Sequence, residues 1–226
     1  KSLLEKARSR PDLVKQVIDK AKREGIIPTI KAAFNKLDQP MLLGYSSAGT
    51  IVAVGTDLRD FHVGDRVACA GGGHAVHAEY NVVPQNLMAK IPDNVDFDSA
   101  AFSTLGAISL NGIRLAHLGL GEKVAVIGLG LLGMITAELV RASGCQVIGI
   151  DVNPDKIKLA AEAGFHAVHR SKAEKACASF SENRGVDAVL ICADTPSDDT
   201  VQLAGEIARD RAYVISIGVV GTNLPR

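Results

Sequence analysis

The chain has 226 residues, of which 47% are hydrophobic and 22% are charged, and this balance is ordinary for a globular protein. Its formal net charge is zero, so charge alone gives it no attraction to nucleic acid or to an anionic membrane. No apolar run approaches the roughly 18 residues of a membrane span. The four cysteines are scattered and form no metal-binding pair. We therefore expect a cytoplasmic protein without a nucleic-acid or membrane partner.

Two patterns occupy the first part of the chain. Residues 1–37 carry apolar positions at helical spacing among many charged residues, which predicts a helical leader. Residues 40–97 carry short β-type segments separated by glycine, such as Gly49–Gly55 and Val63–Ala68. Short, evenly spaced strands of this kind favour a small barrel-like β-domain. Because the chain begins at Lys1 without a methionine, we expect it to be a fragment of a longer protein.

From Phe97 onwards, segments with β-type and helical patterns alternate. Ser99 is expected to cap a helix over Ala100–Leu115, and Asn153 to cap a helix that begins at Pro154. The strands predicted around these helices are Val124–Ile127, Gln146–Ile150, His166–Val168, Val186–Ile191 and Ala212–Gly218. Five parallel strands with crossover helices predict a doubly wound α/β sheet with strand order 3-2-1-4-5. A sixth strand would normally complete such a sheet, and we expect it to follow Arg226.

A G-x-G-x-x-G turn joins the first of these strands to its helix. Gly128 allows a tight turn, Gly130 lets a pyrophosphate approach the backbone, and Gly133 lets the helix lie close to the sheet. The helix N-terminus then offers free N–H groups to the phosphates. The residues predicted to bind a dinucleotide here are Gly128, Leu129, Gly130, Leu131, Leu132 and Gly133.

The second strand of the predicted sheet is followed by an acidic residue. Asp151 lies 21 residues after Gly130, close to the roughly 20 expected when an acid binds the adenosine ribose hydroxyls. One alternative is a packing turn that binds no ligand. Another is a site for the methyl donor S-adenosylmethionine, which the x-x-Gly spacing and the long apolar helix disfavour.

Six segments follow the pattern of one known family: Leu43–Ile51, Phe61–Val67, His77–Tyr80, Gly128–Gly133, Asp151–Lys156 and Gly185–Asp187. Together they resemble the medium-chain alcohol dehydrogenase/reductase superfamily over residues 40–226. The resemblance implies a partial GroES-like β-domain with its helical leader in residues 1–97. It implies a Rossmann domain, truncated before its last strand, in residues 98–226. The leader also resembles the dehydrogenase half of bi-domain oxidoreductases.

The chain departs from this family at the catalytic zinc site. The family's ligand His falls at Tyr45, its neighbouring Glu falls at Ser46, and the third-ligand segment 101–104 offers no Cys, Glu or His. His74 and His77 have a spacing that suits a metal, but without a third ligand nearby a polar glycine loop is favoured. Because a zinc site needs three protein ligands, we expect no metal. A first ligand would have to lie upstream of the sequence.

The resemblance implies hydride transfer between a nicotinamide cofactor and an alcohol or carbonyl, and the bi-domain likeness adds sugar derivatives as substrates. A carboxylate at Asp151 would repel an additional phosphate, so NAD is expected rather than NADP. The further cofactor contacts expected are Val152 and Lys156 at the adenosine end, Ala193 and Thr195 at the carboxyl edge of the sheet, and Gly218 and Val219 at the carboxamide.

Without zinc, the developing alkoxide needs another proton donor. Tyr45 occupies the old ligand position and its hydroxyl can donate, with Thr104 as a catalytic relay; alternatively, Tyr45 only fills the space. Two other functions stay open: an NADPH-dependent enone or quinone reductase, and a non-catalytic NAD-binding module. The partners to expect are a small-molecule substrate, a second copy in a homodimer, and a second oxidoreductase domain in the full-length chain.

Overall fold

The structure is a computed structural model, and it describes residues 42–221. The first described elements form a small antiparallel sheet of strands β1 (Ser46–Thr50), β2 (Arg66–Ala70) and β3 (Met88–Lys90), in that order. Ser47 of β1 lies opposite Cys69 of β2. The side chains of Val67, Cys69 and Ala75 are buried beneath this sheet.

This sheet has fewer strands than the sequence predicted. The strand expected over Gly49–Gly55 ends at Thr50, because the next residue, Ile51, bonds to the Asp65–Gly64 turn instead of continuing a ladder. Val52 and Val54 are exposed. A β-type sequence thus lacks a neighbouring strand in this part of the described chain, and a barrel-like closure is absent from residues 42–221.

Six α-helices lie within the described residues. They are α1 (Phe97–Ala100), α2 (Ser103–Leu115), α3 (Leu131–Ala142), α4 (Pro154–Glu162), α5 (Ala173–Phe180) and α6 (Asp199–Ile207). The single helix predicted from Ala100 is wrong: α1 and α2 are separate, and Asp96 caps α1 by accepting a 2.6 Å hydrogen bond from the Ser99 amide. The Asn153 cap is confirmed, since its side chain accepts a bond from the Asp155 amide.

A five-stranded parallel sheet forms the larger core. Its strands are β4 (Lys123–Ile127), β5 (Gln146–Asp151), β6 (His166–His169), β7 (Val186–Ile191) and β8 (Ala208–Ser216). The spatial order is β6-β5-β4-β7-β8, which confirms the predicted order 3-2-1-4-5. Both faces are covered, because alternate residues of β4 enter different apolar clusters: Val124 and Val126 on one side, Ala125 and Ile127 on the other. The fold class is therefore α/β, as predicted.

The last described strand begins earlier than predicted. β8 follows α6 without a loop, starting at Ala208 rather than Ala212. Its pairing with β7 is irregular, since Val186 lies opposite Ala208 but Ala188 lies opposite Tyr213. Arg211 adopts φ +64° inside this irregularity.

Several expectations concern parts of the chain outside residues 42–221. The helical leader, residues 1–37, is one of them. From Gly44 onwards the described residues belong to one compact unit, and the boundary placed between residues 97 and 98 stays a prediction. No helix in the described part is long and apolar enough to cross a membrane.

Candidate functional site

A cleft of about 840 Å³ opens at the carboxyl edge of the parallel sheet. Ligands of open α/β sheets bind at this edge, where the strand order reverses on either side of the first strand. Most of the residues that the sequence predicted for the site line the cleft: Tyr45, Gly128, Gly130, Leu131, Leu132, Asp151, Val152, Lys156, Ala193, Thr195, Gly218 and Val219. The fold thus brings residues from the ends of four strands to one place.

The glycine turn owes its shape to two of its three glycines. Gly128 has φ +93°, and a Cβ there would lie 2.7 Å from the Ala193 amide nitrogen. A Cβ on Gly133 would lie 1.8 Å from the Gly128 carbonyl oxygen. Gly130 differs, because its Cβ would come no closer than 3.8 Å to Lys156 Nζ. Gly128 and Gly133 are therefore required by packing, whereas Gly130 leaves open space beside the turn.

The N-terminus of α3 faces this space. Gly130 is the N-cap and has no side chain to bond the first amides of the 12-residue helix. The first intrahelical bond runs from the Met134 amide to the Gly130 carbonyl. The N–H groups of Leu131 and Leu132 precede that bond, so they lack an acceptor within the helix. An anion placed here would meet free donors and the positive end of the helix dipole.

Asp151 is buried, with 8% of its surface exposed, yet it lines the cleft. One carboxylate oxygen accepts a 2.6 Å bond from the Leu129 amide and the other a 2.8 Å bond from the Asn153 amide. A carboxylate has about four acceptor positions, so capacity for ligand hydroxyls remains. Leu129 was predicted to contact the cofactor, but it does not line the cleft. Its amide donates to Asp151, and its side chain is buried in the core.

An ion pair also lines the cleft. Arg170 donates from Nε and Nη2 to the two carboxylate oxygens of Asp199 at 2.9 and 2.8 Å. The hydrogen bond to Asp199 raises the pKa of Arg170 above its usual value. Both residues line the cleft, as does Thr200. Sequence reasoning missed all three. In the sequence, only their positions could have indicated a role in the site, because Arg170 directly follows a strand and Asp199 begins a helix.

The opposite wall is formed where the chain leaves β7 and β8. A Cβ on Gly218 would lie 2.1 Å from the Ala193 carbonyl oxygen, so the two loops touch through their backbones. The Thr195 amide donates a 3.0 Å bond to the Val219 carbonyl. These contacts hold the backbone of both loops at the cleft, and the predicted contact of Gly218 and Val219 with a carboxamide stays a prediction.

The two predicted catalytic residues are placed differently. Tyr45 lines the cleft and is 47% exposed. Thr104 does not line it; its hydroxyl donates a 3.4 Å bond to the Cys69 carbonyl. The structure therefore brings Tyr45, but not Thr104, to the cleft.

The residues at the family's zinc positions do not fit a zinc centre. Within residues 42–221 there is no group of three or more His, Cys, Asp or Glu side chains that could hold a metal ion. The Ser46 hydroxyl donates a 2.6 Å bond to the Ala101 carbonyl. The ring of His77 lies against Gly44, and His74 contacts the Val82 carbonyl. The described part of the chain therefore lacks the ligand set that a zinc centre requires.

A doubly wound sheet with a glycine turn, a free helix N-terminus and a buried acid after the second strand defines a dinucleotide-binding fold. Residues 18–93 match the family of the alcohol dehydrogenase GroES-like domain, and residues 132–225 match the zinc-binding dehydrogenase family. The chain belongs to the zinc-type alcohol dehydrogenase-like, medium-chain dehydrogenase/reductase superfamily.

Relatives agree with this assignment. The chain is 28% identical over 171 residues to (R,R)-butanediol dehydrogenase of Bacillus subtilis, a match that covers 65% of this chain and 49% of that protein. Galactitol-1-phosphate dehydrogenase of Escherichia coli has a similar structure, with a TM-score of 0.73, 27% identity, and coverage of 83% of this chain and 62% of that one. A zinc-binding dehydrogenase-like protein of Sinorhizobium meliloti 1021, whose structure is bound to NADP, has a TM-score of 0.69 and 26% identity. That match covers 82% of this chain and 63% of the other. The chain thus spans 49–63% of the length of these relatives.

Proposed function

We propose that this protein is an NAD(H)-dependent oxidoreductase that transfers a hydride between the nicotinamide and an alcohol or carbonyl group without catalytic zinc. The observation that carries the proposal is the Asp151 carboxylate, which lies at the end of β5 and lines the cleft beside the glycine turn. A nicotinamide cofactor would supply the hydride, and the protein would supply its position and the surrounding charge.

The residues of the cleft suit such a cofactor. The open space at Gly130 and the free amides of Leu131 and Leu132 would hold the pyrophosphate. Lys156, whose Nζ is the nearest atom to that space, would neutralise part of the phosphate charge. The backbone groups of Gly218 and Val219 would hold the carboxamide.

The charge of Asp151 favours NAD over NADP. The 2′-phosphate of NADP would be placed beside the Asp151 carboxylate, and two negative groups at close range repel. The free hydroxyls of an NAD ribose would instead donate to the same carboxylate. Since one structural relative is bound to NADP, this preference depends on Asp151 and not on the superfamily.

Tyr45 is the residue that would donate the proton in the proposed reaction. In carbonyl reduction its hydroxyl would donate to the developing alkoxide, and in alcohol oxidation the phenolate would take the proton back. Thr104 would support this step indirectly, by tying α2 to the β2 carbonyl of Cys69. Two relatives are named for a diol and a sugar alcohol phosphate, so small polyols are the first substrates to test.

The setting and partners follow from the same reasoning. We propose a cytoplasmic location because the described cysteines are all free thiols. A homodimer and a second oxidoreductase domain in the full-length chain are proposed partners; size-exclusion chromatography with light scattering of the full protein tests the homodimer.

Titration of the purified protein with NADH and NADPH tests the function. Wild type is expected to bind NADH at least about tenfold more tightly, which is about 1.4 kcal/mol. Asp151→Asn is expected to reduce the difference between the NADH and NADPH dissociation constants. Asp155→Asn, which removes a negative charge outside the cleft lining, is expected to leave that difference unchanged.

Other outcomes separate the remaining functions. Tighter binding of NADPH, with turnover of enones or quinones, would favour the reductase. Cofactor binding without turnover across polyols, alcohols, enones and quinones would favour a non-catalytic module. If neither nucleotide binds to the folded protein, the proposal is wrong.

A further inference from the structure

Arg170 lies beside the acid that is proposed to bind the ribose. In the parallel pairing of β5 and β6, Asp151 is opposite His169, and Arg170 is the next residue. Neighbouring strands are about 4.8 Å apart, so Arg170 leaves the sheet next to Asp151. Both residues line the cleft, and among the described residues that line it Arg170 is the one arginine.

The guanidinium of Arg170 is already bound. Two parallel N–H donors meet the two oxygens of Asp199, the paired geometry in which arginine also binds phosphate. The side chain of Arg170 is 23% exposed, and that of Asp199 is 48% exposed. Glu174 makes a weaker 3.4 Å contact with Nη1 and is 63% exposed. The pair with Asp199 therefore compensates the charge of Arg170 and engages its Nε and Nη2 donors.

A neighbouring hydroxyl offers a further polar contact at this corner of the cleft. Thr200 follows Asp199 in α6 and lines the cleft, although it is only 8% exposed. Its Oγ1 is the one buried side-chain polar atom in the described residues without a hydrogen-bond partner. A buried hydroxyl without a partner is unfavourable, and a polar atom of a bound nucleotide would satisfy it.

We propose that Asp199 is a specificity-determining residue, which disfavours cofactors with a phosphorylated ribose by holding Arg170 in the ion pair. A released Arg170, next to Asp151, would offer a 2′-phosphate the two-pronged contact that the charge of Asp151 denies it. An unphosphorylated ribose gains nothing from that guanidinium. This inference rests on the proposed function, since it concerns the adenosine end of the same cofactor.

Binding of NADH and NADPH to matched variants, followed by the fluorescence of the reduced nicotinamide, tests the inference. Asp199→Ala is expected to shift the ratio of the two dissociation constants about tenfold toward NADPH, the effect of about one charge-assisted contact. The shift should shrink in about 1 M salt, where charges are screened within about 3 Å. Glu174→Gln removes the other negative charge that contacts Arg170 but leaves the bidentate pair with Asp199 intact. It should change the ratio of the NADH and NADPH dissociation constants by less than about twofold.

Two further variants keep the test decisive. Asp199→Asn retains the shape of the first turn of α6 if the alanine variant does not fold, and should shift the ratio in the same direction. Adding Arg170→Met to Asp199→Ala should abolish the shift. If NADH binds but the ratio is unchanged in both Asp199 variants, or shifts equally in Glu174→Gln, the inference is wrong while the proposed function stands. If wild type binds neither nucleotide, the proposed function fails and the inference fails with it.

Discussion

The amide of Leu129 donates a 2.6 Å hydrogen bond to Oδ2 of Asp151, so the acid that ends β5 also fastens the turn that follows β4. The residues are 22 positions apart in the chain and meet because β4 and β5 are adjacent and parallel. The residue proposed to bind the ribose therefore also stabilises the turn that is proposed to bind the pyrophosphate.

Asp151→Ala is expected to lower stability as well as cofactor affinity. It leaves the buried Leu129 amide without an acceptor, which costs about 1–3 kcal/mol. Asp151→Asn removes the charge but keeps one acceptor oxygen, so it should lower the free energy of unfolding by less than Asp151→Ala does. Urea denaturation of both variants measures this difference; equal stability of wild type and Asp151→Ala would contradict the structural role.

Alanine at two glycines of the turn should have opposite consequences. Gly130→Ala places its Cβ in open space and at an ordinary φ of −72°, so the protein should fold normally. The methyl group would nevertheless occupy the space proposed for the pyrophosphate, so NADH affinity should fall by at least about tenfold.

Gly133→Ala would instead drive a methyl group into the Gly128 carbonyl, at 1.8 Å. We expect it to lose about 1–3 kcal/mol of folding free energy, the usual cost of overpacking. Thermal denaturation and NADH titration of the two variants separate the effects. The interpretation fails if Gly130→Ala is the less stable variant or if it binds NADH normally.

Tyr45→Phe is expected to slow hydride transfer without weakening NADH binding. Loss of a proton donor typically costs about 10²–10⁴-fold in rate. The matched control is Tyr80→Phe, because Tyr80 is exposed and lies outside the cleft lining. The measurement is single-turnover oxidation of bound NADH with a substrate found active in the polyol and carbonyl panel. An unchanged rate in Tyr45→Phe would remove this hydroxyl from the mechanism.

Asp187 is expected to contribute stability that depends on pH. Burial acts to raise its pKa, but bonds from the Lys123 amide and the Arg209 guanidinium outweigh that effect and leave the pKa below its usual value of 3.8. A lowered folded-state pKa means that the contribution is complete above about pH 4 and is lost as the pH falls through the folded-state value.

Asp187→Asn should therefore destabilise the protein by about 1–2 kcal/mol at pH 7 and by less at roughly pH 3. Denaturation at both pH values measures the change. Asp210→Asn, which alters an exposed aspartate on the neighbouring strand β8, should have little effect at either pH. A difference between wild type and Asp187→Asn that grows toward acid pH would contradict the assignment.

Cys192 is expected to react slowly although it lines the cleft. Burial raises the pKa of its thiol to about 11, from an ordinary value of 9.0, and its Sγ contacts Thr136 Oγ1 at 3.5 Å. A shift of that size makes the reactive thiolate about 100-fold rarer at neutral pH. Alkylation with iodoacetamide, mapped by mass spectrometry, should label Cys192 quickly only in urea; equal rates in native protein would contradict this.

Some features of the site could be read from neighbouring residues in the chain. The spacing of Gly128, Gly130 and Gly133 after a buried strand, and an acid about twenty residues further on, encode a local strand-turn-helix and the end of the next strand. The strand order followed as well, because right-handed crossovers leave few ways to arrange five parallel strands. These signals depend only on short-range geometry and chirality, which the sequence determines by itself.

Other features depend on which distant segments meet. The pairing of Arg170 with Asp199 spans 29 residues, and the Asp151–Leu129 bond spans 22. The direction of the Thr104 hydroxyl, toward Cys69, was equally invisible in the pattern. A hydrogen-bond partner is selected by the packing of strands and helices, so only the tertiary structure decided which charges are free to meet a ligand.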